Sequence, residues 1–399
     1  MREAVRLDPK AFTRDRILSF PVLINFLLSG LTAGVQQELD AYFPRLNNQA
    51  DFERTVSAQA FSEARMKLSA DVFKKINDFL LSQLAEHVTV PLWHGLRLVA
   101  ADGSKLAVAL RDGTARNATN AMAFALYLPG TEMTLAYELY HADACERQML
   151  FEHLDLLSSR DLLILDRGYP ATWLIAALLQ RGIQFCMRVD QSGYAVVKAF
   201  VRSGEAERIV TLKPTSYANA TTYEIERTEL IVRLVRCVTP DGKIRVLMTS
   251  LLDVAAYPAA DFSALYHRRW RIEECFKRIK HRLGLEAVSG CSWLTAQQDL
   301  GAKIVCDNLN AVCVLAALPE QSHDLIDMPS SHRKINRTAA FPALKQCLPR
   351  CLLGLAEDIT ETLDHALKHI AKSLQYFTQG AAKPRPKTTK PHGKQTYKR

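Results

Sequence analysis

The order of apolar and polar positions predicts helices at both ends of the chain and strands between them. The first 92 or so residues have a helical pattern, which includes two helices over Thr55–Lys67 and Ala70–Glu86. Ser69 is expected to cap the second helix, because a serine hydroxyl accepts hydrogen bonds from the free amides of a first turn. Basic residues near the joint leave two interpretations open: a DNA-contacting helix-turn-helix, or a plain pair packed on the rest of the protein. These residues are Arg65, Lys67, Lys74 and Lys75.

Residues 93–189 have the pattern of a three-strand antiparallel meander followed by strand–helix–strand units. Leu162–Leu165 is wholly apolar, as expected for a strand buried on both faces. The predicted strands are Leu96–Ala101, Lys105–Leu110, Ala121–Leu128, Met133–Tyr140, Leu162–Leu165 and Ile183–Val189. The predicted helices are Cys145–Ser158 and Thr172–Gln180.

Residues 190–261 change character and predict a β-rich segment, with a turn at Asp241-Gly242. Its β-like runs are Tyr194–Val201, Glu207–Leu212, Thr222–Ile225, Glu229–Val238 and Ile244–Ser250. After Gly284 the helical pattern returns, and the region Pro329–Arg337 is predicted to be a loop. Pro349 weakens the middle helix, because proline lacks the amide that a helix interior needs. The three predicted helices are Thr295–Ala317, Phe341–Leu353 and Glu357–Phe377.

The composition is that of a globular protein with room for two or three domains. The chain has 399 residues, of which 48% are apolar. The formal net charge is +9, and the tail Gly380–Arg399 holds seven Lys and Arg residues and no acid. Prolines oppose a helix in this tail, so it is predicted to be disordered. It is either a solvated end without a partner or a segment that attracts phosphate in a salt-dependent way.

The cysteines and one uncharged segment give information about the redox compartment of the protein and about membrane insertion. The chain has nine cysteines and no Cys-x-x-Cys pair, which argues against a zinc site or a disulfide framework and suggests buried thiols in a reducing compartment. Ile17–Gln37 carries no charge, but polar residues and Pro21 interrupt it. Buried helices therefore fit this segment better than a membrane span.

The segment Tyr266–Lys280 carries the strongest chemical signal. On a helix, Tyr266, Arg269, Glu273 and Lys280 fall within a sector of roughly 60°. A carboxylate among cations suits a divalent metal held beside nucleic-acid phosphates; the alternative is an exposed, ion-paired face. The cations exceed what pairing with Glu273 and Glu274 needs, and they are His267, Arg268, Arg269, Arg271, Lys277, Arg278, Lys280, His281 and Arg282. A neighbouring apolar stripe that can dock on a core comprises Leu265, Ile272, Phe276, Ile279 and Leu283.

Two aspartates upstream follow predicted strands. Asp102 follows Leu96–Ala101, although Asp-Gly between two apolar runs is also a hairpin signal. Asp166 follows Leu162–Leu165, at the kind of strand end where α/β proteins bind ligands, although it also suits a helix cap.

These residues resemble a known family. Tyr266, Arg269, Glu273 and Lys280 match, gap for gap, the Y-(2)-R-(3)-E-(6)-K signature of the DDE transposases of the insertion-sequence-4 group, and Asp166–Tyr169 matches the D-x-G-Y of its second motif. The resemblance implies an α/β fold: an RNase H-like catalytic core with a β-rich insertion, flanked by helical N- and C-terminal regions. The implied parts are a helical region that contacts the DNA end (1–92), two parts of the core (93–189 and 262–320), the insertion (190–261), a helical region (321–378) and a basic tail (379–399).

The resemblance also implies a DNA transposase that hydrolyses phosphodiesters and transfers strands at the inverted-repeat ends of a transposon. Asp102 would be a shared ligand of two Mg²⁺ ions, with Asp166 and Glu273 each completing one site and Mn²⁺ able to replace Mg²⁺. The implied partners are double-stranded DNA and a second copy of the chain in a synaptic complex, with no membrane, in the bacterial cytoplasm at the nucleoid. The alternatives are a DNA-binding relative without catalysis and a stand-alone metal-dependent nuclease.

The resemblance assigns DNA contacts to the same helix. Tyr266, Arg269 and Lys280 would hold a phosphate next to the cut. Trp270 either stacks on a flipped base or is an ordinary packed aromatic. Some members place a Trp in the insertion for this purpose; residues 190–261 have none here, and the aromatic candidates are Tyr194, Tyr217 and Tyr223. Arg188 either reaches a phosphate or protects an edge strand.

Overall fold

A computed structural model describes residues 2–48, 54–110, 119–191, 193–239, 242–318 and 333–376. The predicted basic tail (379–399) and Asp241 of the predicted turn lie outside these residues. The helices are α1 (Phe20–Leu28), α2 (Val35–Leu46), α3 (Ala58–Arg65), α4 (Asp71–His87), α5 (Glu146–Phe151), α6 (Thr172–Gln180), α7 (Ala195–Ser203), α8 (Tyr217–Tyr223), α9 (Phe262–His267), α10 (Trp270–His281), α11 (Trp293–Ala316), α12 (Arg337–Leu352) and α13 (Ile359–Lys372). The strands are β1 (Leu92–Trp93), β2 (Leu96–Leu110), β3 (Thr119–Leu128), β4 (Met133–His141), β5 (Asp161–Leu165), β6 (Gln184–Val189), β7 (Glu207–Leu212), β8 (Leu230–Val238), β9 (Ile244–Thr249), β10 (Arg333–Ile335) and β11 (Leu374–Tyr376).

A mixed sheet forms the centre of the molecule, which confirms the α/β class. In the described part of the chain its order is β4-β3-β2-β5-β6-β9-β8-β7, and β1 also pairs with β2. The meander β2–β3–β4 is antiparallel, whereas β5 runs parallel to β2 and β6 runs parallel to β5. One face packs against α1, α3, α4 and α9–α11, and the other packs against α5–α7. The ends of the central strands β2 and β5 are therefore enclosed by helices on both sides.

Strand β2 differs from its prediction. Two strands separated by Asp102-Gly103 were expected, but a single strand runs from Leu96 to Leu110. Asp102 pairs with Ala125 of β3, and Gly103 pairs with Phe124. The hairpin interpretation of Asp102-Gly103 is therefore wrong, because pairing along β3 holds this dipeptide extended against its turn propensity.

The segment 190–261 is less β-rich than predicted. Three of its five runs form β7, β8 and β9, and these strands extend the main sheet beyond β6. Tyr194–Val201 was predicted as a strand but largely forms α7, because the buried Val197 and Phe200 lie three residues apart on one helical face. The strand predicted over Thr222–Ile225 was also wrong, since its first two residues are the end of the short helix α8, whose first turn is capped by the Ser216 hydroxyl.

The three C-terminal helices form, but the last one ends at Lys372, and Leu374–Tyr376, predicted as part of that helix, forms β11 instead. The structure compensates for Pro349 inside α12. Proline lacks an amide hydrogen, so the carbonyl of Lys345 has no partner within α12. The Arg45 guanidinium, from α2, donates to this carbonyl at 3.2 Å. The predicted loop Pro329–Arg337 is wrong in its described part, since Arg333–Ile335 forms β10 and pairs with β11.

The N-terminal helical pair packs into the core. Arg65, predicted among the basic residues of a DNA contact, is fully buried and donates to Gln298 at 2.8 Å and to Asp299 at 3.1 Å. Lys74 forms an ion pair with Glu138. Two of the four cations thus serve the fold. Helix α4 begins one residue later than predicted, with Ala70 rather than Ser69 at the N-cap position.

The structure bears on two further predictions, that the cysteines are buried thiols and that the N-terminal uncharged segment is not a membrane span. All nine cysteines are free thiols, but only Cys186, Cys237, Cys275 and Cys306 are buried, and Cys145 is exposed. Among the helices of the described residues, none is both long enough and apolar enough to cross a bilayer.

Candidate active site

The pairing of two parallel strands places Asp102 and Asp166 side by side. Ala100 of β2 is level with Ile164 of β5. If this register is continued by two residues, Asp102 comes level with Asp166, which directly follows the last residue of β5. Because side chains alternate along a strand, both aspartates point to the face of the sheet that packs against α9 and α10. Two carboxyl side chains therefore meet on this face of the sheet, beside the end of β5.

Arg188 continues this row of polar residues. Met187 of β6 is level with Leu165 of β5, so Arg188 lies beside Asp166. Strand β6 pairs with both β5 and β9. The alternative of an edge-strand charge is therefore wrong, since Arg188 belongs to a central strand.

The predicted signature helix is two helices. Tyr266 lies in α9, and α10 begins at Trp270 with Arg269 at its N-cap position. The expected single helix over Tyr266–Lys280 is wrong, but the apolar stripe of the prediction is buried: Leu265, Ile272, Phe276, Ile279 and Leu283. Glu273 lies in the first turn of α10, where the helix dipole favours a negative charge.

Arg269 connects the carboxylates from different elements. Its Nη2 donates to Oε1 of Glu273 at 2.6 Å, and its Nη1 lies 3.8 Å from Oδ2 of Asp102. The guanidinium also lies between two rings, 5.9 Å from the centre of Tyr266 and 5.3 Å from that of Trp270. One cation thus brings Glu273 of α10 to Asp102 of β2.

Asp102 is the electrostatic centre of the site. Burial raises the pKa of Asp102 to about 7; Arg269 opposes this shift, and Glu146, Asp166 and Glu273 add to it. The three predicted acids are therefore close enough to influence one another.

Glu146 was not predicted. It is the first residue of α5, where an acidic residue ordinarily complements the helix dipole and gives no functional signal in a sequence. Burial and the nearby charge of Asp166 raise the pKa of Glu146. The fourth carboxylate is brought to the site only by the packing of α5 against the sheet.

The remaining predicted DNA contacts lie at different depths. Tyr266 is buried, and burial raises its pKa to about 12. Trp270 is 36% exposed, which leaves part of its ring accessible. Lys280 donates to the backbone carbonyl of Lys105 in β2 and lies 3.7 Å from Glu286. The structure therefore places Tyr266 and Trp270 beside Arg269, and Lys280 further along α10.

The aromatic candidates of the segment 190–261 are already engaged with other side chains. Tyr223 stacks on Trp173 with ring centres 3.9 Å apart. The Arg227 guanidinium lies 3.4 Å from the ring centre of Tyr217. Tyr194 is half-buried and packs against the hydrophobic core below α5–α7.

The prediction that the cations around Tyr266–Lys280 exceed what ion pairing needs is partly wrong. Arg271 pairs with Glu132 at 3.1 Å, and Arg278 pairs with Asp307 at 2.7 Å. Both acids come from other parts of the fold, so a pattern read along one helix could not reveal them.

The donor set suits a hard divalent cation, although its arrangement is not that of a closed metal site. Across the described residues, no three His, Cys, Asp or Glu side chains converge closely enough to hold a metal ion. Carboxylate oxygens are the ligands that Mg²⁺ prefers, and a cation would relieve the repulsion that Asp102 experiences. Arg269 supplies that positive charge to Asp102 and Glu273 in this structure.

Asp102 should make the stability of the metal-free protein depend on pH. Its pKa is raised from 3.8 to about 7, so folding favours the neutral form. This stabilisation is complete below the unfolded value and is lost as the pH rises through about 7. At about 1.4 kcal/mol for each pKa unit, we expect Asp102→Asn to be more stable than the wild type at about pH 8 by a few kcal/mol. Denaturation in EDTA at about pH 8 and pH 4 measures this; equal stability at the higher pH would contradict it.

Comparisons with known proteins identify the family of this chain. A family model described as "Transposase DDE domain" matches residues 93–309, more than half of the chain. The transposase InsG of insertion sequence element IS4, from Escherichia coli, is 25% identical over 242 residues, which are 57% of this chain and 54% of that relative. The match thus spans about half the length of this curated relative.

Two solved structures are also similar. A piggyBac transposase synaptic complex with hairpin DNA has a TM-score of 0.45 and 11% identity, over 93% of this chain and 78% of that one. The catalytic domain of human Endonuclease V has a TM-score of 0.26 and 14% identity, over 54% and 97%. Given the family model and the relative from insertion sequence IS4, this chain belongs to the DDE transposase family of the insertion-sequence-4 type.

Proposed function

We propose that this protein is a DNA transposase that cuts and joins DNA at the inverted-repeat ends of its transposon with the help of divalent metal ions. The observation that carries the proposal is the level placement of Asp102 and Asp166 on adjacent parallel strands, with Glu273 tied to Asp102 through Arg269. Three hard carboxylates at the end of a buried sheet suit phosphate chemistry. An antiparallel meander followed by two parallel strands also supports an RNase H-like core.

Each acid has a defined role in this proposal. Asp102, Asp166 and Glu273 would hold the divalent cations, Mg²⁺ or Mn²⁺, with Asp102 as the shared ligand. When bound, the metal ions activate the attacking water or 3′-hydroxyl and neutralise charge on the leaving oxygen. The acids themselves are positioned before reaction: Asp166 accepts from the Gly168 amide at 2.6 Å, and Asp102 accepts from the Gly103 amide at 3.0 Å. Such fixed geometry lowers the cost of aligning the reacting groups.

The cationic and aromatic residues hold the DNA in this proposal. Arg269 contacts the phosphate next to the cut, with Tyr266 and Lys280 beside it, and the exposed part of Trp270 stacks on a base. Arg269 is also the counter-ion of Asp102 and Glu273, so a bound cation that replaced it there would leave its guanidinium available to a phosphate. The protein acts on double-stranded DNA as a homodimer, since two transposon ends must be joined in one complex.

A cleavage assay with the flanking DNA of the gene tests the proposal. Duplexes that carry the two flanking inverted repeats are incubated with the protein and Mg²⁺, and nicking, double-strand cleavage and transfer into a target plasmid are measured. We expect cleavage at the repeat ends and joined products, both abolished by EDTA. Cleavage without transfer and without preference for the repeats would indicate a stand-alone nuclease. Specific binding of the repeats with no cleavage in Mg²⁺ or Mn²⁺ would indicate a DNA-binding relative.

Removal of the Arg269 side chain should change the response of the protein to metal ions. In Arg269→Ala, Asp102 and Glu273 lose their shared counter-ion, so we expect a lower melting temperature in EDTA. A divalent cation can replace the lost charge, so Mg²⁺ should raise the melting temperature of the variant more than that of the wild type. Arg208→Ala, which breaks an exposed pair with Glu205, is the matched control. An equal response of Arg269→Ala and the wild type to Mg²⁺ would contradict this expectation.

A further inference from the structure

We propose that Arg188 and Arg245, which we call the arginine pair, bind two neighbouring phosphates of the DNA strand that crosses the sheet from β5 towards β9. This inference rests on the proposed action on DNA and adds a second set of contacts to it. The family signature assigns DNA contacts to α9 and α10. Arg188 was one candidate from the sequence, but Arg245 gave no signal there. Three observations support the pair: a common face, a position beside the acids and the lack of protein partners.

Strand pairing places both arginines on the face of the sheet that carries Asp102 and Asp166. Arg188 of β6 lies opposite Leu247 of β9, and Arg245 lies two residues before Leu247. Because side chains alternate along a strand, Arg245 points to the same face as Leu247 and Arg188. Diagonal neighbours on two antiparallel strands are about 7–8 Å apart. The two long side chains can therefore reach neighbouring phosphates of one DNA strand.

The arginine pair continues the row of candidate catalytic residues. Asp166 follows β5, Arg188 lies beside it on β6, and β9 is the next strand of the sheet. Neighbouring strands are about 4.8 Å apart, so Arg188 lies one strand and Arg245 two strands from Asp166. Arg188 is also close enough to act on Tyr266: burial raises the pKa of this tyrosine to about 12, and Arg269 and Arg188 oppose the shift. A phosphodiester held at the acids would thus have Arg188 near the next phosphate and Arg245 near the one after it.

Neither guanidinium of the pair has a partner in the described part of the chain. Both side chains are half-buried, and neither forms an ion pair or a side-chain hydrogen bond with the described residues. Two other arginines of the same sheet are engaged, Arg233 with Glu207 and Arg236 with backbone carbonyls. Partial burial of a cation without a counter-ion is unfavourable, whereas a guanidinium can donate two parallel hydrogen bonds to a phosphate. The pair therefore favours an anionic ligand.

Two acids lie near the arginine pair without forming ion pairs with it. If the pairing of β6 and β9 is continued by one residue, Asp190 comes level with Arg245. Asp190 is exposed to solvent, which weakens its effect, and it forms no ion pair with the described residues. Glu205, which precedes β7, is already paired with Arg208. The net charge of this part of the sheet face therefore remains available to a phosphate.

Binding of a duplex in EDTA tests the inference without a cleavage readout. The duplex carries the inverted repeat that flanks the gene together with the adjoining donor DNA, and its affinity is measured by fluorescence anisotropy over a range of salt concentrations. Each phosphate contact contributes about 1 to the slope of log affinity against log salt concentration, so Arg188→Ala and Arg245→Ala should each lower the slope by about 1. Arg202→Ala is the matched control and should bind as the wild type does, because Arg202 is exposed on α7, on the opposite face of the sheet.

Uncharged phosphates in the same duplex locate the contacts. Single methylphosphonates are placed at successive positions on each side of the cut, in each strand. We expect two neighbouring positions of one strand to weaken binding by the wild type. Arg188→Ala should become insensitive at the position nearer the cut and Arg245→Ala at the other, because a variant that lacks a contact cannot lose it again.

Folding and the proposed function are controlled separately. Arg188→Lys keeps the charge on the central strand and should recover most of the salt slope. Wild-type slopes and wild-type methylphosphonate patterns in both Ala variants would overturn the inference. Weaker binding in which every methylphosphonate position stays sensitive would show a structural role and would overturn it as well. If the wild type binds no duplex, the proposed function fails too, whereas a wild type that binds and cleaves leaves the proposed function standing whatever the arginine variants do.

Discussion

Replacement of Asp166 by Asn is expected to reduce DNA strand cleavage on the order of 10³-fold. A metal ion contributes several kcal/mol of transition-state stabilisation, and each tenfold in rate corresponds to about 1.36 kcal/mol. Asp166 directly follows β5, beside Asp102, so in the proposed mechanism the loss of its charge would remove a metal ligand while keeping the side-chain volume. Single-turnover cleavage of a repeat-end duplex in Mg²⁺ measures the effect.

The controls separate chemistry from binding and folding. Asn has nearly the same shape as Asp, and the loss of a negative charge near DNA should leave the affinity for the duplex unchanged or higher in a gel-shift assay. Asp155→Asn removes an exposed acid whose side chain is 91% accessible, and cleavage by this variant should equal that of the wild type. Wild-type cleavage rates in Asp166→Asn would remove the acid from the mechanism.

The second large effect concerns stability. Asp307→Asn should lower the free energy of unfolding by about 3–5 kcal/mol, as expected when one partner of a buried ion pair is removed. Asp307 is fully buried in α11 and accepts from Nε and Nη2 of Arg278 at 2.7 and 2.8 Å. Arg337, at the start of α12, lies 3.2 Å from the same carboxylate. Burial by itself would raise the pKa of Asp307, but these two guanidinium groups hold it below its usual value.

The position of this network explains the size of the expected loss. Arg337 also donates to Glu132, in the turn between β3 and β4, at 3.0 Å. The ion pairs thus connect the sheet, α10, α11 and α12. Denaturant titration followed by tryptophan fluorescence measures the change. Glu205→Gln breaks the exposed pair with Arg208 and should leave the denaturation midpoint unchanged. An equally small effect for Asp307→Asn would contradict the expectation and show that Arg278 and Arg337 are solvated by other groups.

Much of the sheet could be predicted because strand patterns are local. The wholly apolar Leu162–Leu165 forms β5 with every residue buried, and Glu207–Leu212 forms β7 with the predicted bounds. The exceptions are also physical. Alternation alone does not distinguish a short strand from a short helix, so α7 was missed even though Val197 and Phe200 carry a helical spacing. At Asp102-Gly103 the pairing with β3 overrides a local turn preference.

The residues of the candidate site could be selected from motifs and strand ends in the sequence, but the contacts between its distant residues could not. The spacing from Tyr266 to Lys280 identifies the family without any structure. The spacing does not show that the helix breaks before Trp270, or that Arg269 forms ion pairs with Asp102 and Glu273. Likewise, Arg271 and Arg278 looked like surplus cations because their partners, Glu132 and Asp307, are distant in the chain.

By itself, the sequence determined the family and the α/β class and selected three candidate acids, because residue types, periodicity and short gaps can be read directly along the chain. The tertiary structure alone decided which carboxylates meet. The parallel register of β2 and β5 sets Asp102 beside Asp166, and the packing of α5 brings in Glu146 through the space left by Gly103 and Gly168. Strand register and helix packing depend on many contacts between residues that are distant in the chain. Charges attract or repel according to their separation in space, which these contacts set and the order of residues does not.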